Sequence, residues 1–150
     1  MTTSSVIHHE SSRLESHSEV TRYLVPVGRL LFVATFLMSV PEHFARPTID
    51  FAASAGVPMA NVLVPASGLL ELVGALSVLL GYRARFGALL LALFLVPVTL
   101  MMHRFWGIDD AMKAHMQQIN FMKNMALLGG AFLVMHFGAG PVSLDARSAR

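Results

Sequence analysis

The chain has 150 residues, of which 55% are apolar and 13% charged, with a mean hydropathy of +0.61. A soluble domain sits nearer to about 45–50% apolar and about 25% charged. The balance excludes a nucleic-acid-binding domain, a disordered regulator and an ordinary soluble enzyme, and points to one small integral membrane domain. The formal charge of +2 is too small to imply a polyanionic partner. With no cysteine, the chain has no disulfide, thiolate metal site or thiol chemistry of its own. Any redox role must draw on a bound cofactor, a quinone or a partner protein.

Residues 1–20 are polar and rich in Ser, His and Glu. They lack a basic start, an apolar run and a small-residue cleavage site, so they read as a disordered tail and not as a signal peptide. His8 and His9 lie in this tail, which is expected to be solvated.

A spanning helix needs roughly 20 mostly apolar residues. Four stretches meet that requirement: 23–40, interrupted by Arg29; 62–81, interrupted by Glu71; 85–102, without an internal charge; and 119–137, interrupted by Lys123. Leu, Ala, Met and Gly dominate the last three, which favours helices over the alternation of a membrane barrel. The fold expected is all-α, a four-transmembrane-helix bundle over 21–141, with 142–150 as a short C-terminal tail. Residues 81–85 are a tight turn, making the second and third spans an antiparallel hairpin. Residues 41–61 and 103–118 are longer loops. Residues 51–55 suit the membrane interface, and 110–118 can extend the fourth helix. Arg13, Arg22, Arg83, Arg85, Arg147 and Arg150 fall on one side, Arg46, Arg104 and Lys113 on the other. Positive residues concentrate on the cytoplasmic side, so both termini are expected there.

Charges inside a span are costly and mark candidate functional sites. Glu71 shares a face with Ser67 and Gly74, and small residues mark close helix approach, so it is expected to point into the bundle. Arg29 is the expected partner of Glu71, either as a catalytic pair or as a structural ion pair that fixes register. In the fourth span Asn120, Lys123 and Asn124 form an inward polar cluster, the competing reading being that Lys123 snorkels to the interface. Ser39, Glu42, His43 and His103 reach the outer surface. Glu42, His43 and His103, together with Asn120, Lys123 and Asn124, can form an outer polar pocket. His43 and His103 could in principle hold a haem or metal; two interfacial histidines are the preferred reading, and no metal is assigned. The sequence carries no motif for nucleotide, phosphate or nucleophilic catalysis.

The order of several short motifs resembles the DoxX family of small four-helix bacterial membrane proteins. These are Gly28-Arg29-Leu30-Leu31, Phe36-Leu-Met-Ser39, Ala55-Gly56-Val57-Pro58, Leu69-Leu70-Glu71-Leu72-Val73-Gly74, Gly81-Tyr82-Arg83-Ala84-Arg85, Phe121 to Gly130, and Gly140-Pro-Val-Ser-Leu-Asp145. Relatives in that family often carry Gly and then Lys where this chain has Val40 and His43. The resemblance implies a redox-associated membrane subunit that binds quinone or a small oxidant or sulfur compound in the bundle, with Arg29, Glu71, Lys123 and Asn124 at family positions. On that reading Glu71 handles a proton, Arg29 is its partner, and Lys123 with Asn124 holds a quinone carbonyl. Ser39, Asn120, His43 and His103 complete the ligand-binding set. The alternatives are a small-solute transporter or channel, which would need an oligomer, and a non-catalytic scaffold for a soluble partner enzyme. The expected location is the bacterial inner membrane, as a multi-pass protein.

Overall fold

The computed structural model describes residues 22–148, so the expected tail at 1–20, with His8 and His9, lies outside the described residues. Every regular element among the described residues is helical. α1 covers residues 22–39 and continues into a 3-10 turn, Val40–Phe44, entered through Pro41. α2 is Arg46–Ser54, with Pro47 in its first turn. α3 is Ala60–Leu80, α4 is Ala84–Met102, α5 is Ala111–Phe137 and α6 is Leu144–Ser148.

The hairpin expected at 81–85 is present, and its chemistry is explicit. Gly81 takes φ +63°, in the left-handed region that glycine tolerates. Its N–H donates to the Val78 carbonyl and the Tyr82 N–H donates to the Ser77 carbonyl. That pair of bonds is the Schellman closure of α3. Two residues later α4 begins, and the Asp145 carboxylate accepts hydrogen bonds from Arg83 N (2.7 Å) and Ala84 N (3.1 Å). The orphan donors at the start of α4 are thus capped from the far end of the chain. Residues 142–148, expected as a tail, are therefore packed on the hairpin. α5 starts as expected above the former fourth span, its first amides bonded to Asp110 Oδ1 at 2.9 and 3.0 Å.

The core joins Val33 and Phe36 of α1, Ala75 and Val78 of α3, and Ala88, Leu91 and Leu95 of α4. α3 and α4 meet through glycine. A Cβ on Gly74 would lie 3.0 Å from the Gly87 carbonyl oxygen, and one on Gly87 2.8 Å from the Gly74 carbonyl oxygen. Close backbone approach of this kind is how membrane helices gain packing without a hydrophobic driving force. A second cluster, Ile49, Ala52, Ala60 and Val64, seats α2 on the start of α3. Leu31, Met38, Leu69, Val73 and Leu133 point outward, as lipid-facing residues do.

Among the described residues, three helices are long and apolar enough to cross a membrane: Arg22–Phe44, Ala60–Leu80 and Ala84–Met102. Of the four spans expected from the sequence, three meet that criterion among the described residues and α5 does not. α5 is the longest helix, but Asn120, Lys123, Asn124 and His136 dilute its apolar run.

Candidate functional site

Glu71 sits in the middle of α3 and is 1% exposed. The expectation that it points inward holds, but its partner is different. Ser39 Oγ lies 2.7 Å from Glu71 Oε1 and donates to it, alternating with the Phe36 carbonyl at 2.9 Å. His43, one turn beyond Ser39, brings Nδ1 to 3.4 Å from Glu71 Oε2 and 3.1 Å from the Ser39 carbonyl oxygen. A carbonyl only accepts, so Nδ1 carries the hydrogen. The His43 ring packs on Phe94, centroids 5.5 Å apart. Its Cβ fills the hollow over Gly68, where an added Cβ would come within 2.6 Å of it. Glu71 Oε2 receives no hydrogen bond among the described residues.

Arg29 is not part of this group. Its Nη2 donates to the Val142 carbonyl at 2.6 Å, and its Nη1 lies against Gly81. Asp145 supplies the nearby opposite charge. The expected Arg29–Glu71 pair is thus corrected. α1 and α3 run antiparallel, with Ser39 opposite Glu71 and Arg29 opposite Gly81. Those levels are ten residues apart on each helix, about 15 Å at 1.5 Å per residue. A helical side chain also leans toward its own N-terminus, which carries Arg29 away from Glu71. Nε and Nη1 of Arg29 are buried without hydrogen bonds among the described residues. Its role visible in the structure is to tie α1 to the hairpin and the C-terminal segment.

Above Glu71 the helices part around a cavity of about 700 Å³. Its walls are apolar: Phe36 from α1, Leu63, Val64 and Leu70 from α3, Leu93, Phe94, Leu95, Pro97, Val98 and Met101 from α4, and Leu127 from α5. Phe51, Ala52, Val57 and Pro58, from α2 and the loop after it, line it too. Its polar lining includes Ser39, His43 and Glu71 together with Glu42, Ser67, His103, Lys123 and Asn124, with Thr35 and Thr48. Most of the expected outer pocket therefore lines one space, and Glu71 lines it as well. Asn120 is the exception: its Oδ1 accepts from Lys123 Nζ at 3.4 Å, and it is absent from the lining. Asn124 is buried, 5% exposed. Lys123 is exposed, so it both borders the cavity and reaches outward.

His103, just past the end of α4, pairs its Nδ1 with Gln117 Oε1 at 2.9 Å. Burial pushes its pKa below the usual 6.5 and the Lys123 charge pushes the same way, against the Gln117 hydrogen bond. No group of three or more His, Asp or Glu side chains that could hold a metal exists among the described residues. Sequence reasoning missed Gln117, Phe94 and Asp145. Asp145 was visible as an acidic residue in a Gly-Pro-Val-Ser-Leu-Asp run; Phe94 and Gln117 carried no signal on their own.

The chain is 31% identical over 127 residues to the inner membrane protein YphA of Escherichia coli, covering 83% of this chain and 89% of that protein. It is 28% identical over 76 residues to the ER-derived vesicles protein ERV29 of Saccharomyces cerevisiae, covering 51% of this chain but 24% of that much longer protein. No solved structure matches the chain. The expected location, a multi-pass protein of the bacterial inner membrane, agrees with the apolar helices and with the YphA match. The resemblance to the DoxX family is overturned. The motifs that suggested it are packing and capping devices in the structure: Gly74 for helix contact, Gly81 for the turn, Asp145 for the cap. A helical membrane bundle of any family can use them. The model of the SURF4 family matches residues 60–150, more than half of the chain, and the chain belongs to the SURF4 family.

Proposed function

We propose that this protein is an inner-membrane binding protein for a small amphipathic molecule taken up from the lipid phase. The ligand's polar head would sit at Ser39, His43 and Glu71, and its apolar body between α1, α3 and α4. The observation that carries this reading is the cavity of about 700 Å³ in which an apolar wall converges on one buried carboxylate. Ligand sites have this form: mostly apolar lining, a few placed polar groups, and roughly 300–1,000 Å³ of space. The redox role rested on the corrected family resemblance and has no independent support here. A quinone offers only acceptors, so it would be held by Lys123, Asn124 or Ser39 and would leave Glu71 Oε2 unmatched.

In this reading α5 is the fourth membrane-crossing element. Its Asn124 is covered by the bundle, which supports placing a helix of mixed polarity there. The end that carries Arg29, Arg83 and Arg85 faces the cytoplasm by the charge rule, and the cavity mouth faces away from it. α2 lies along the mouth as an interfacial helix, with Ile49 and Ala52 inward and Arg46 paired to Asp50 outward at 3.2 Å.

The test is photolabelling in lipid nanodiscs with a dodecanol probe that carries a diazirine on its chain. The labelled peptides should map to residues 63–71 and 93–101. Ser67→Trp, which fills the cavity from α3, should abolish that labelling while the protein remains folded. Labelling spread evenly over the outward leucines, and indifferent to Ser67→Trp, would refute the proposal.

A further inference from the structure

Glu71 lines the cavity, and its Oε2 is a buried oxygen with no hydrogen bond among the described residues. A carboxylate in apolar surroundings without a partner is costly, and natural structures rarely leave one so. The groups around it do not supply the missing partner. Ser39 shares its hydrogen between Oε1 and the Phe36 carbonyl. The hydrogen on His43 Nδ1 has the Ser39 carbonyl oxygen nearer, at 3.1 Å against 3.4 Å to Oε2. Arg29 lies at the other end of the helix pair, bonded to Val142. Lys123 turns its Nζ to Asn120.

We propose that the cavity selects protonated hydrophobic amines, with the ligand's primary ammonium group donating to Glu71 Oε2. This rests on the cavity being a binding site. An ammonium ion supplies the hydrogen bond that Oε2 lacks among the described residues, together with a positive charge; the ion-pair neighbour His43 Nδ1, at 3.4 Å, gives it no hydrogen bond. A charge-assisted hydrogen bond in a low-dielectric pocket is the strong kind. The wall is compatible with the same choice: Phe36 and Phe94 line the same cavity as Glu71, and aromatic faces attract cations. At the mouth, Glu42 and Lys123 are both exposed and carry opposite signs. Exposed charges are screened, so the mouth is close to neutral and the buried carboxylate decides the sign of the ligand.

The experiment is displacement of the diazirine-dodecanol probe from the protein in neutral phosphatidylcholine nanodiscs. The competitors are dodecylamine, dodecanol and dodecyltrimethylammonium. Dodecylamine should displace the probe at roughly tenfold lower membrane concentration than dodecanol, or better, as expected for a hydrogen bond to a charged partner. It should also outcompete the quaternary ion, which has charge but no hydrogen to give. Glu71→Gln should collapse the amine-to-alcohol ratio toward one, and Glu71→Asp should restore part of it. If Glu71→Gln does not fold, the wild-type ratios decide alone. Equal potency of amine and alcohol in wild type would overturn the amine proposal and leave the cavity reading standing. Equal potency of amine and quaternary ion would overturn the hydrogen bond to Oε2. No specific displacement by any of the three would overturn the proposal together with the cavity reading.

Discussion

Gly68→Ala is a sharp test of how the site is built. Gly68 lies on α3, one turn before Glu71, under the side chain of His43. A Cβ added there would sit 2.6 Å from His43 Cβ and 3.0 Å from Cγ, where ordinary contact starts at 3.4 Å, so 0.8 Å must be found. The obstructing atom is a Cβ beside the backbone and has no freedom to swing away. Either the Val40–Phe44 turn lifts off α3 or α3 shifts against α4, where Gly74 and Gly87 already touch. Overpacking of this kind costs about 1–3 kcal/mol. At roughly 2–4 °C per kcal/mol for a chain of this size, the apparent Tm should fall by several degrees. The matched control is Gly129→Ala on α5, where an added Cβ meets nothing within 4 Å. That change should be neutral or stabilise by about 0.5–1 kcal/mol, as alanine does in a helix. The assay is thermal unfolding of both variants in the same detergent. Equal Tm values for the two would refute the close packing of the turn on α3.

Other consequences follow from the opposite end and from the rim. Asp145→Ala removes the acceptor for Arg83 N and Ala84 N and the charge nearest Arg29. It should destabilise by about 1–2 kcal/mol as a lost cap, and Asp145→Asn by less, measured by denaturant unfolding. Gly81→Ala combines φ +63° with contacts to Arg29, Ser143 and Ala139. It should cost more than Gly68→Ala, because left-handed strain of about 1–2 kcal/mol adds to the overpacking. His103 has a folded pKa below its usual 6.5. The unfolded chain therefore takes the proton first, and stability is full above about pH 6.5 and declines as pH falls through that value toward the folded one. His103→Asn should flatten this part of the Tm-against-pH curve; an unchanged slope would refute the assignment.

Much of the fold was legible because bilayer length and backbone satisfaction leave few choices. The three charge-poor spans, the hairpin at Gly81 and the inward turn of Glu71 all follow from those constraints. The polar groups near the outer surface also converge as their depths suggested, since Ser39, His43, His103, Lys123 and Asn124 share one cavity lining. The fourth span fell short because its polar face is dense, and composition alone cannot separate a bundle-covered face from a water-facing one. The partner of Glu71 was misread because depth was counted from approximate span ends. An offset of a few residues at each end becomes many ångströms, and the side-chain lean of Arg29 was left out. Ser39 at the end of α1 and His43 in the turn that continues it, four residues apart, carried the better signal: they meet Glu71 together. The family was misread because its short motifs encode turns, caps and close contacts, which recur wherever helices pack this way.

The central claim is that the cavity beside Glu71 holds a ligand in the membrane. The most direct measurement is mass spectrometry of small molecules retained by the purified protein, with wild type, Ser67→Trp and Glu71→Gln prepared side by side. The account predicts a molecule enriched over bulk lipid in wild type, absent from folded Ser67→Trp and depleted in folded Glu71→Gln. Identical bulk phospholipid in all three samples would contradict it.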